Sequence, residues 1–252
     1  MNAIILAGAV NSGALRKVSQ EHYEAEIKIA GRPMLDYVLQ ALRSISSVQR
    51  IIIVGPRALI SSDMWDENCT MVERGNTWEE SLMNGLNALE SEEPLLLVTS
   101  DIPLITKEAL EDFLERCQSR KADVYYSFVS KDDNEKKYPG VQRTYVKLRE
   151  GVYTGGNLAL ISPKVIRDNF GMFKKASAMR KKPLQLCLLL GWKCLLKLVF
   201  GRLAIHEIEQ RVAEIFHFSA VGIVSPYPEV GIDVDKPSDL KLAREVLSKL
   251  ES

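Results

Sequence analysis

The stretch Ala3-Ile4-Ile5-Leu6-Ala7-Gly8-Ala9, which runs on to Gly13 and Arg16, decides the fold of this chain. Ile4 to Leu6 form a short apolar run rich in β-branched side chains, which is typical of a buried strand. Small residues follow at once and leave the backbone N–H groups at the strand end accessible. They predict a loop that can cradle a polyphosphate, with Arg16 pairing with its oxygens. A plain turn has the same local pattern, so later segments must decide between these two interpretations.

The composition is that of an ordinary globular protein. The 252 residues include 33 Lys and Arg and 33 Asp and Glu, so the net charge is zero. A neutral chain is not steered towards nucleic acid, and we expect no nucleic-acid partner. Four cysteines without C-x-x-C spacing, with only three histidines, argue against zinc and for reduced thiols. We expect neither a signal peptide nor a transmembrane segment, and hence a cytoplasmic protein.

Apolar strands and helices alternate along the first half of the chain. After the first strand, further strands are predicted at 50–56, 70–72, 94–101 and 124–129, and helices at 34–44, 75–89 and 106–114. This alternation predicts an α/β protein with a mostly parallel, Rossmann-like sheet between two helical layers, a three-layer αβα fold. Ligands of such sheets lie beyond the carboxyl ends of the strands, so Gly8, Gly55 and Asp101 are expected at the binding edge.

The second half has a different pattern and is expected to elaborate the first half within a single domain, 1–252. It begins with a charged loop at 131–138 and a strand-turn-strand unit at 145–162, with Gly155-Gly156 in the turn. A helical, partly basic segment follows at 164–218. Extended segments are predicted at 221–224 and 231–234, and a final helix at 239–250.

Two carboxylates occupy predicted strand ends. Asp101 closes the apolar strand at 94–101, and Asp235 lies in Asp233-Val234-Asp235-Lys236-Pro237. Carboxylates on separate strand ends can share one Mg²⁺, which prefers hard oxygen ligands and keeps waters and substrate phosphates. Each aspartate alone is equally well explained as a helix cap or a turn residue.

Taken together, these segments resemble the MobA-like nucleotidyltransferases, which have a glycosyltransferase-A-like fold. The matching motifs occur in order: Leu6-Ala7-Gly8-Ala9 with Gly13 and Arg16, Gly31-Arg32-Pro33-Met34-Leu35, Asp101-Ile102-Pro103-Leu104, and Asp235-Lys236-Pro237-Ser238-Asp239-Leu240. The segment from Gly75-Asn76-Thr77 to Leu86 is similar to the one that the family places near base and phosphates. Tyr153 to Asn157 resembles its acceptor-side glycine loop.

The resemblance implies Mg²⁺-dependent transfer of a nucleoside monophosphate from an NTP to a phosphorylated or otherwise anionic small molecule, with release of pyrophosphate. Asp101 and Asp235 would hold the metal and, with Arg16, form the catalytic set. The implied nucleotide-binding residues are Leu6, Ala7, Gly8, Gly13, Gly75, Asn76, Ser81 and Ser100, and the acceptor-binding residues are Gly155, Gly156 and Asn157. Residues 1–130 would bind the nucleotide, and residues 131–252 the acceptor, with a helical lid and a returning strand that carries a metal ligand.

Two positions depart from the family pattern. Ala9 replaces the second glycine of the loop, and Glu24 stands where the family carries a lysine that reaches the triphosphate. A glutamate facing a triphosphate weakens the attraction unless a metal or a neighbouring cation offsets its charge. Either Arg16, Lys17 or Lys28 replaces the lysine, or the enzyme is slow, altered or inactive.

Two alternative functions remain open at this stage. Asp233-Val234-Asp235 has the Asp-x-Asp spelling of the metal motif in sugar-nucleotide-dependent glycosyltransferases, although its place before the last helix fits a nucleotidyltransferase better. Ala9 and Glu24 are compatible with a catalytically inactive nucleotide-binding homologue.

The segment 174–202 interleaves basic and apolar residues, and three interpretations of it stay open. It forms a core or homodimer helix with a solvated basic edge, or a peripheral membrane helix whose cations meet lipid headgroups. In the third interpretation it lines an acceptor pocket, with Lys181 and Lys182 near the acceptor phosphate.

Overall fold

The computed structural model describes residues 1–57, 59, 67–178 and 183–250, and these residues are arranged around one mixed β-sheet. Its strands are β1 (Asn2–Leu6), β4 (Arg50–Gly55), β5 (Cys69–Glu73), β6 (Leu95–Thr99), β7 (Val124–Ser130), β8 (Val146–Lys147), β9 (Val152–Ile161) and β10 (Ala220–Ser225). A separate two-stranded hairpin pairs β2 (Lys28–Ile29) with β3 (Arg32–Pro33).

The sheet is mostly parallel, as the sequence predicts. The spatial order is β10-β7-β9-β6-β1-β4-β5, with β8 paired to β9. β1 pairs in parallel with β4 and β6, β4 with β5, and β7 with β10. β9 runs antiparallel between β6 and β7. The second half of the chain therefore supplies strands to the same sheet as the first half.

Helices cover both faces of this sheet. They are α1 (Met34–Arg43), α2 (Trp78–Leu89), α3 (Lys107–Cys117), α4 (Lys131–Lys137), α5 (Pro163–Asp168), α6 (Phe170–Ala178), α7 (Pro183–Leu189), α8 (Trp192–Val199), α9 (Ile205–Phe216) and α10 (Pro237–Leu250). Ile5 belongs to the buried cluster formed with α1 and α3, whereas Ile4 and Leu6 belong to the cluster formed with α2. Successive side chains of a strand point to opposite faces, so β1 joins the two helical layers.

Two threonine caps fix where α2 and α3 begin. The Thr77 Oγ1 accepts a hydrogen bond from the Glu80 N–H at 3.2 Å, and the Thr106 Oγ1 accepts one from the Ala109 N–H at 3.2 Å. Both helices begin directly after these caps because the hydroxyl satisfies a backbone donor that has no partner within the helix. The helix predicted at 106–114 is confirmed as α3.

The charged loop predicted at 131–138 is wrong, because α4 occupies Lys131–Lys137. The Ser130 Oγ caps this helix by accepting from the Asp133 N–H at 3.0 Å. Asp132 and Asp133 lie in its first turn and Lys136 and Lys137 in its last. That order of charges complements the helix dipole. A charged run that is typical of a solvated loop therefore forms a capped short helix here.

Within the described residues, the helical segment predicted at 164–218 is confirmed as the helices α5 to α9. Lys181 and Lys182 lie outside the described residues, so their proposed contact with an acceptor phosphate stays a prediction. No helix among the described residues combines the length and the apolar character needed to cross a membrane. The four cysteines are free thiols.

Candidate active site

The parallel strands bring the predicted loops to one edge of the sheet. Leu6, at the end of β1, is in register with Val54 of β4 and Thr99 of β6. Just beyond these residues, the Ala7 N–H donates to the Val54 carbonyl at 2.8 Å and the Ser100 N–H donates to the Leu6 carbonyl at 3.2 Å. The loop that follows β1 and begins with Ala7 and Gly8, which we call the Gly8 loop, therefore leaves the sheet beside Asp101.

The loop after β1 is closed by its own side chains. The Asn11 Nδ2 donates to the carbonyls of Ser19 and Glu21 at 3.2 and 3.0 Å. The Arg16 Nη1 donates to the carbonyls of Gln20 and Glu21 at 2.6 and 3.0 Å. Arg16 thus holds the exposed part of this loop in the described conformation, and its contact with phosphate stays a prediction.

Three carboxylates meet at the sheet edge. One oxygen from each of Glu24, Asp101 and Asp235 lies within 4.8 Å of the other two. Glu24 is placed by its backbone, whose N–H donates to the Ala9 carbonyl at 3.0 Å, and the Asp101 carbonyl accepts from the Val234 N–H at 2.8 Å. The residue that replaces the family lysine therefore stands beside the two predicted metal ligands.

A fourth acidic side chain, Asp233, interacts with Asp101 and Asp235. Burial, with the charges of Asp101 and Asp235, raises the pKa of Asp233 to about 7, while Arg143 acts in the opposite direction. The Arg143 Nε lies 3.6 Å from the Asp233 Oδ1. The pKa of Asp233 is raised in spite of this cation, because burial and the two neighbouring carboxylates together outweigh it.

The segment that carries Asp235 is not the strand that was predicted at 231–234. Pro228–Gly231 form a 3₁₀ turn, and residues 232–235 have no regular secondary structure. Side chains, rather than a neighbouring strand, form hydrogen bonds with the backbone of this segment. Arg143 donates to the carbonyls of Gly231 and Asp233 at 3.1 and 2.7 Å. The Asp239 Oδ2 accepts from the N–H groups of Asp235 and Lys236. These contacts position Asp235 without a strand.

The predicted nucleotide segment packs tightly against the start of α2. The Ser81 Oγ accepts from the Gly75 N–H at 3.0 Å and donates to the Thr77 carbonyl at 2.9 Å. The Asn76 N–H donates to the Glu80 Oε2 at 2.9 Å. A Cβ on Gly75 would lie 2.3 Å from the Glu80 Cβ, so only glycine fits this approach. Ser81 is buried and shapes the loop, whereas Asn76 is exposed.

Arg74 is a cation of the site that the sequence interpretation missed. Its Nη1 donates to the Gly8 carbonyl at 3.3 Å, and its guanidinium lies 5.5 Å from the centre of the Tyr23 ring. Arg74 follows β5 directly, at the same edge of the sheet as Gly8. The available signal was its position just after the strand predicted at 70–72, because residues that follow a parallel strand lie at the binding edge.

The predicted acceptor-side turn is wrong, since Gly155 and Gly156 lie inside the continuous strand β9. A Cβ on Gly156 would stand 2.3 Å from the Ser127 Oγ, and one on Gly155 would stand 2.8 Å from the Tyr126 hydroxyl oxygen. The glycines therefore allow neighbouring side chains of β7 to approach the strand. Asn157 is next in the strand, and its Nδ2 donates to the Val230 carbonyl at 3.4 Å.

The structure thus brings the Gly8 loop, Asp101 and Asp235 together, with Glu24 and Arg74 beside them. Gly13 lies in an open part of the loop, where an added Cβ would meet no atom within 4 Å. Ser100 is buried, and its N–H donates a hydrogen bond to the carbonyl of Leu6 in β1.

The cluster of the Glu24, Asp101 and Asp235 carboxylates suits a hard divalent cation such as Mg²⁺. Mg²⁺ binds carboxylate oxygens at about 2.0–2.1 Å and completes its shell with waters, so oxygens on opposite sides of one ion are about 4 Å apart. The observed limit of 4.8 Å places the three carboxylates within reach of one ion, directly or through a bound water. The oxygen-only donors also fit Mg²⁺ better than a softer metal.

A mostly parallel sheet with a small-residue loop and a cluster of carboxylates at its carboxyl edge is typical of α/β proteins that bind their ligands at that edge. Residues 3–186 match the family model described as the MobA-like NTP transferase domain. The match covers more than half of the chain. The chain therefore belongs to the MobA-like NTP transferase family and is a nucleotidyltransferase.

Solved structures share this fold. A hypothetical transferase from Thermus thermophilus is 35% identical, with a TM-score of 0.82, over 95% of this chain and 98% of that one. The 4-diphosphocytidyl-2C-methyl-D-erythritol synthase of Anaerococcus prevotii shares the fold at 18% identity and a TM-score of 0.61, over 98% and 95% of the two chains. A CMP:2-keto-3-deoxy-manno-octonic acid synthetase complexed with CTP shares the fold at 13% identity and a TM-score of 0.62, over 99% of each chain.

Curated relatives match over a shorter stretch. The bifunctional protein GlmU of Thermoanaerobacter pseudethanolicus is 26% identical over 107 residues, which are 41% of this chain and 23% of that protein. The GlmU of Desulfotalea psychrophila is 29% identical over 100 residues, 38% of this chain and 30% of that protein. The chain thus spans less than a third of the length of these relatives.

Proposed function

We propose that this protein transfers a nucleoside monophosphate from an NTP to a phosphorylated or otherwise anionic small molecule, with Mg²⁺ and with release of pyrophosphate. The observation that carries the proposal is the group of Glu24, Asp101 and Asp235 beside the Gly8 loop. A polyphosphate on this loop would have its negative charge next to a divalent cation held by these carboxylates. Positioning and charge neutralisation are the main sources of rate in such transfers.

The proposed step forms a bond between an acceptor oxygen and the α-phosphorus and breaks the bond from that phosphorus to the bridging oxygen. Pyrophosphate leaves with the electron pair. An ionised phosphate or carboxylate acceptor needs no general base, which agrees with the lack of a histidine in the predicted motifs. Mg²⁺, when bound by Asp101 and Asp235, would supply electrostatic stabilisation of the charge on the reacting phosphates.

We further propose that the two halves divide the substrates, with the NTP bound by 1–130 and the acceptor by 131–252. The Gly8 loop, Gly75 and Asn76 lie at the ends of parallel strands, which favours the nucleotide there. The start of β9 pairs with the end of β7, so Gly155 to Asn157 lead away from the same edge. The acceptor is expected on this side. A cytoplasmic location stays a prediction.

Arg74 is proposed to bind the triphosphate in place of the missing lysine. Arg74→Ala is expected to raise the NTP KM by about tenfold to a hundredfold, because hydrogen bonds between charged groups contribute about 1.5–3 kcal/mol. Steady-state kinetics of pyrophosphate release measure the change. Arg50→Ala is the matched control, since Arg50 is exposed at the opposite end of β4. An unchanged KM for Arg74→Ala would contradict this role.

Glu24 is proposed as a third carboxylate ligand of the metal. The glutamate that replaces the family lysine would then have a function of its own. Glu24→Gln is expected to weaken Mn²⁺ binding to the nucleotide-free protein by about tenfold or more, because one anionic ligand is lost. Electron paramagnetic resonance titration of Mn²⁺ measures this affinity without turnover. Glu111→Gln on α3, where Glu111 pairs with Lys107 at 3.6 Å, controls for the change in charge.

Glu24→Lys extends this test. It restores the residue type of the family but places an ammonium beside Asp101 and Asp235, so metal binding without nucleotide is expected to disappear. Equal Mn²⁺ affinity in wild type, Glu24→Gln and Glu24→Lys would exclude Glu24 from the metal site.

A screen of CTP, GTP, UTP, ATP and nucleoside-diphosphate sugars tests the proposed function. Stabilisation by one NTP with Mg²⁺, measured as a rise in Tm, supports nucleotidyl transfer because a ligand of the native state stabilises it by mass action. Stabilisation by a nucleoside-diphosphate sugar alone would favour the glycosyltransferase alternative. NTP binding without pyrophosphate release over a broad acceptor panel would favour the inactive homologue.

A further inference from the structure

The helices α7 and α8 expose large apolar side chains to solvent. Six of the eight large exposed apolar side chains in the described part of the chain lie in these helices or directly after α8, each between 48% and 71% exposed. We call them the α7–α8 face: Leu184, Leu188, Trp192, Leu196, Val199 and Phe200. Leu184, Leu188, Trp192, Leu196 and Phe200 follow one another at intervals of four residues.

Packing within the protein does not account for this face, because the helices bury a different set of residues. Cys187, Leu190 and Cys194 are buried in a cluster that includes Leu203 and Phe216. The helices are therefore already anchored by their inner sides. Six large apolar side chains exposed on one short segment mark a contact with a partner or with lipid.

The charge around the α7–α8 face is strongly one-sided. Residues 169–206 contain eight Lys and Arg and no Asp or Glu, in a chain whose net charge is zero. Lys193 and Arg202 are exposed in and just after α8, and Lys174 and Lys175 are exposed on α6. Lys197 is 51% exposed and pairs with Glu207 of α9. Exposed cations therefore lie on α6 and in or just after α8, in the same segment as the apolar side chains.

We propose that the α7–α8 face binds the surface of an anionic lipid bilayer. Cations attract acidic headgroups, and Trp, Phe and Leu enter the boundary between headgroups and acyl chains. A second copy of the chain fits less well: a two-fold contact through this face would oppose the same lysines, and the centres of protein interfaces are depleted in Lys. α7 and α8 have 7 and 8 residues, so they would lie on the bilayer surface.

The test is cosedimentation of the full chain with vesicles, without nucleotide, so its outcome does not depend on the proposed activity. Phosphatidylcholine vesicles with and without phosphatidylglycerol are compared at low and high salt. The proposal expects binding to the anionic vesicles, little binding to the neutral ones, and release at high salt because surface attraction is screened. No binding to either kind of vesicle, or equal binding to both, would overturn it.

Two variants separate the apolar and charged contributions. Replacing Trp192, Leu196 and Phe200 together by Ser, and replacing Lys193 and Lys197 together by Gln, are each expected to lower vesicle binding by about tenfold or more. Lys107→Gln with Lys241→Gln is the matched charge control, since both lysines are exposed on other helices, where they pair with Glu111 and Glu245. Unchanged Tm values show that the variants are folded.

Sedimentation velocity of the same proteins completes the test. If wild type forms a dimer that the serine variant does not form, and wild type does not bind anionic vesicles, a second copy covers the face and the proposal is wrong. A monomeric wild type that binds anionic vesicles supports it.

Discussion

Asp101→Asn is expected to lower Mg²⁺-dependent nucleotidyl transfer by about a thousandfold and to leave the protein folded. The amide keeps the size of the side chain but removes the charge that would hold the metal near the reacting phosphates. Metal stabilisation of a transition state contributes several kcal/mol, and each 1.36 kcal/mol corresponds to about a factor of ten in rate. The measurement is kcat for pyrophosphate release, with the Tm of each variant as the control for folding.

Asp168→Asn provides the matched control for Asp101→Asn. Asp168 is 57% exposed and pairs with Lys164 within α5. Its variant is expected to keep the wild-type rate. An Asp101→Asn protein that turns over at the wild-type rate would exclude Asp101 as a metal ligand.

Gly156→Ala is expected to lower the stability of the fold by about 2 kcal/mol and the Tm by roughly 4–8 °C, because a new methyl group overpacks the sheet. The added Cβ would stand 2.3 Å from the Ser127 Oγ and 2.8 Å from the Val230 Cγ1. Both neighbours lie in the packed interior, where relief requires movement of β7 or of the segment that leads to Asp233. Thermal and urea unfolding measure the loss.

Two companion variants make this prediction specific to the close approach. Gly13→Ala places its methyl where no atom lies within 4 Å, and it is expected to change the Tm by little. Ser127→Ala removes the nearest atom, so the Gly156→Ala and Ser127→Ala changes together should cost less than the sum of the single changes. Full additivity would show that the contact with Ser127 is not the source of the loss.

The sheet of the first half could be predicted because its sequence signals are local. Ile4, Ile5 and Leu6 form an apolar run because β1 is buried on both faces, and Thr106 marks the start of α3 because its hydroxyl caps the helix. A strand buried on both faces has such a run. The ends of parallel strands share one edge, so the meeting of Asp101 with the Gly8 loop also followed.

Other features depend on which segments meet in space, and the sequence pattern does not show this. Gly155-Gly156 is typical of a turn, yet these glycines make room for side chains of the neighbouring β7. Charged residues are typical of a loop, yet Ser130 and the order of charges stabilise α4. Both errors arise because a local composition is compatible with two structures, and tertiary contacts select one of them.

Glu24 shows the same limit at the active site. The sequence identifies it as a departure from the family lysine and predicts weaker attraction for a triphosphate. Only the fold shows that its carboxylate joins those of Asp101 and Asp235. In that setting the charge of Glu24 adds to a cation site, and the proposed phosphate-binding cation is Arg74, from a different strand.

The most direct test of the proposed nucleotidyl transfer follows two labels in the NTP that stabilises the protein. With Mg²⁺ and a panel of phosphorylated and carboxylated acceptors, an α-phosphate label should move into the acceptor product, while a γ-phosphate label should leave as pyrophosphate. Both the labelled product and the labelled pyrophosphate should be absent with Asp101→Asn. If the γ label leaves as orthophosphate and the α label stays in a nucleoside diphosphate, the protein hydrolyses NTPs and the proposed transfer is wrong.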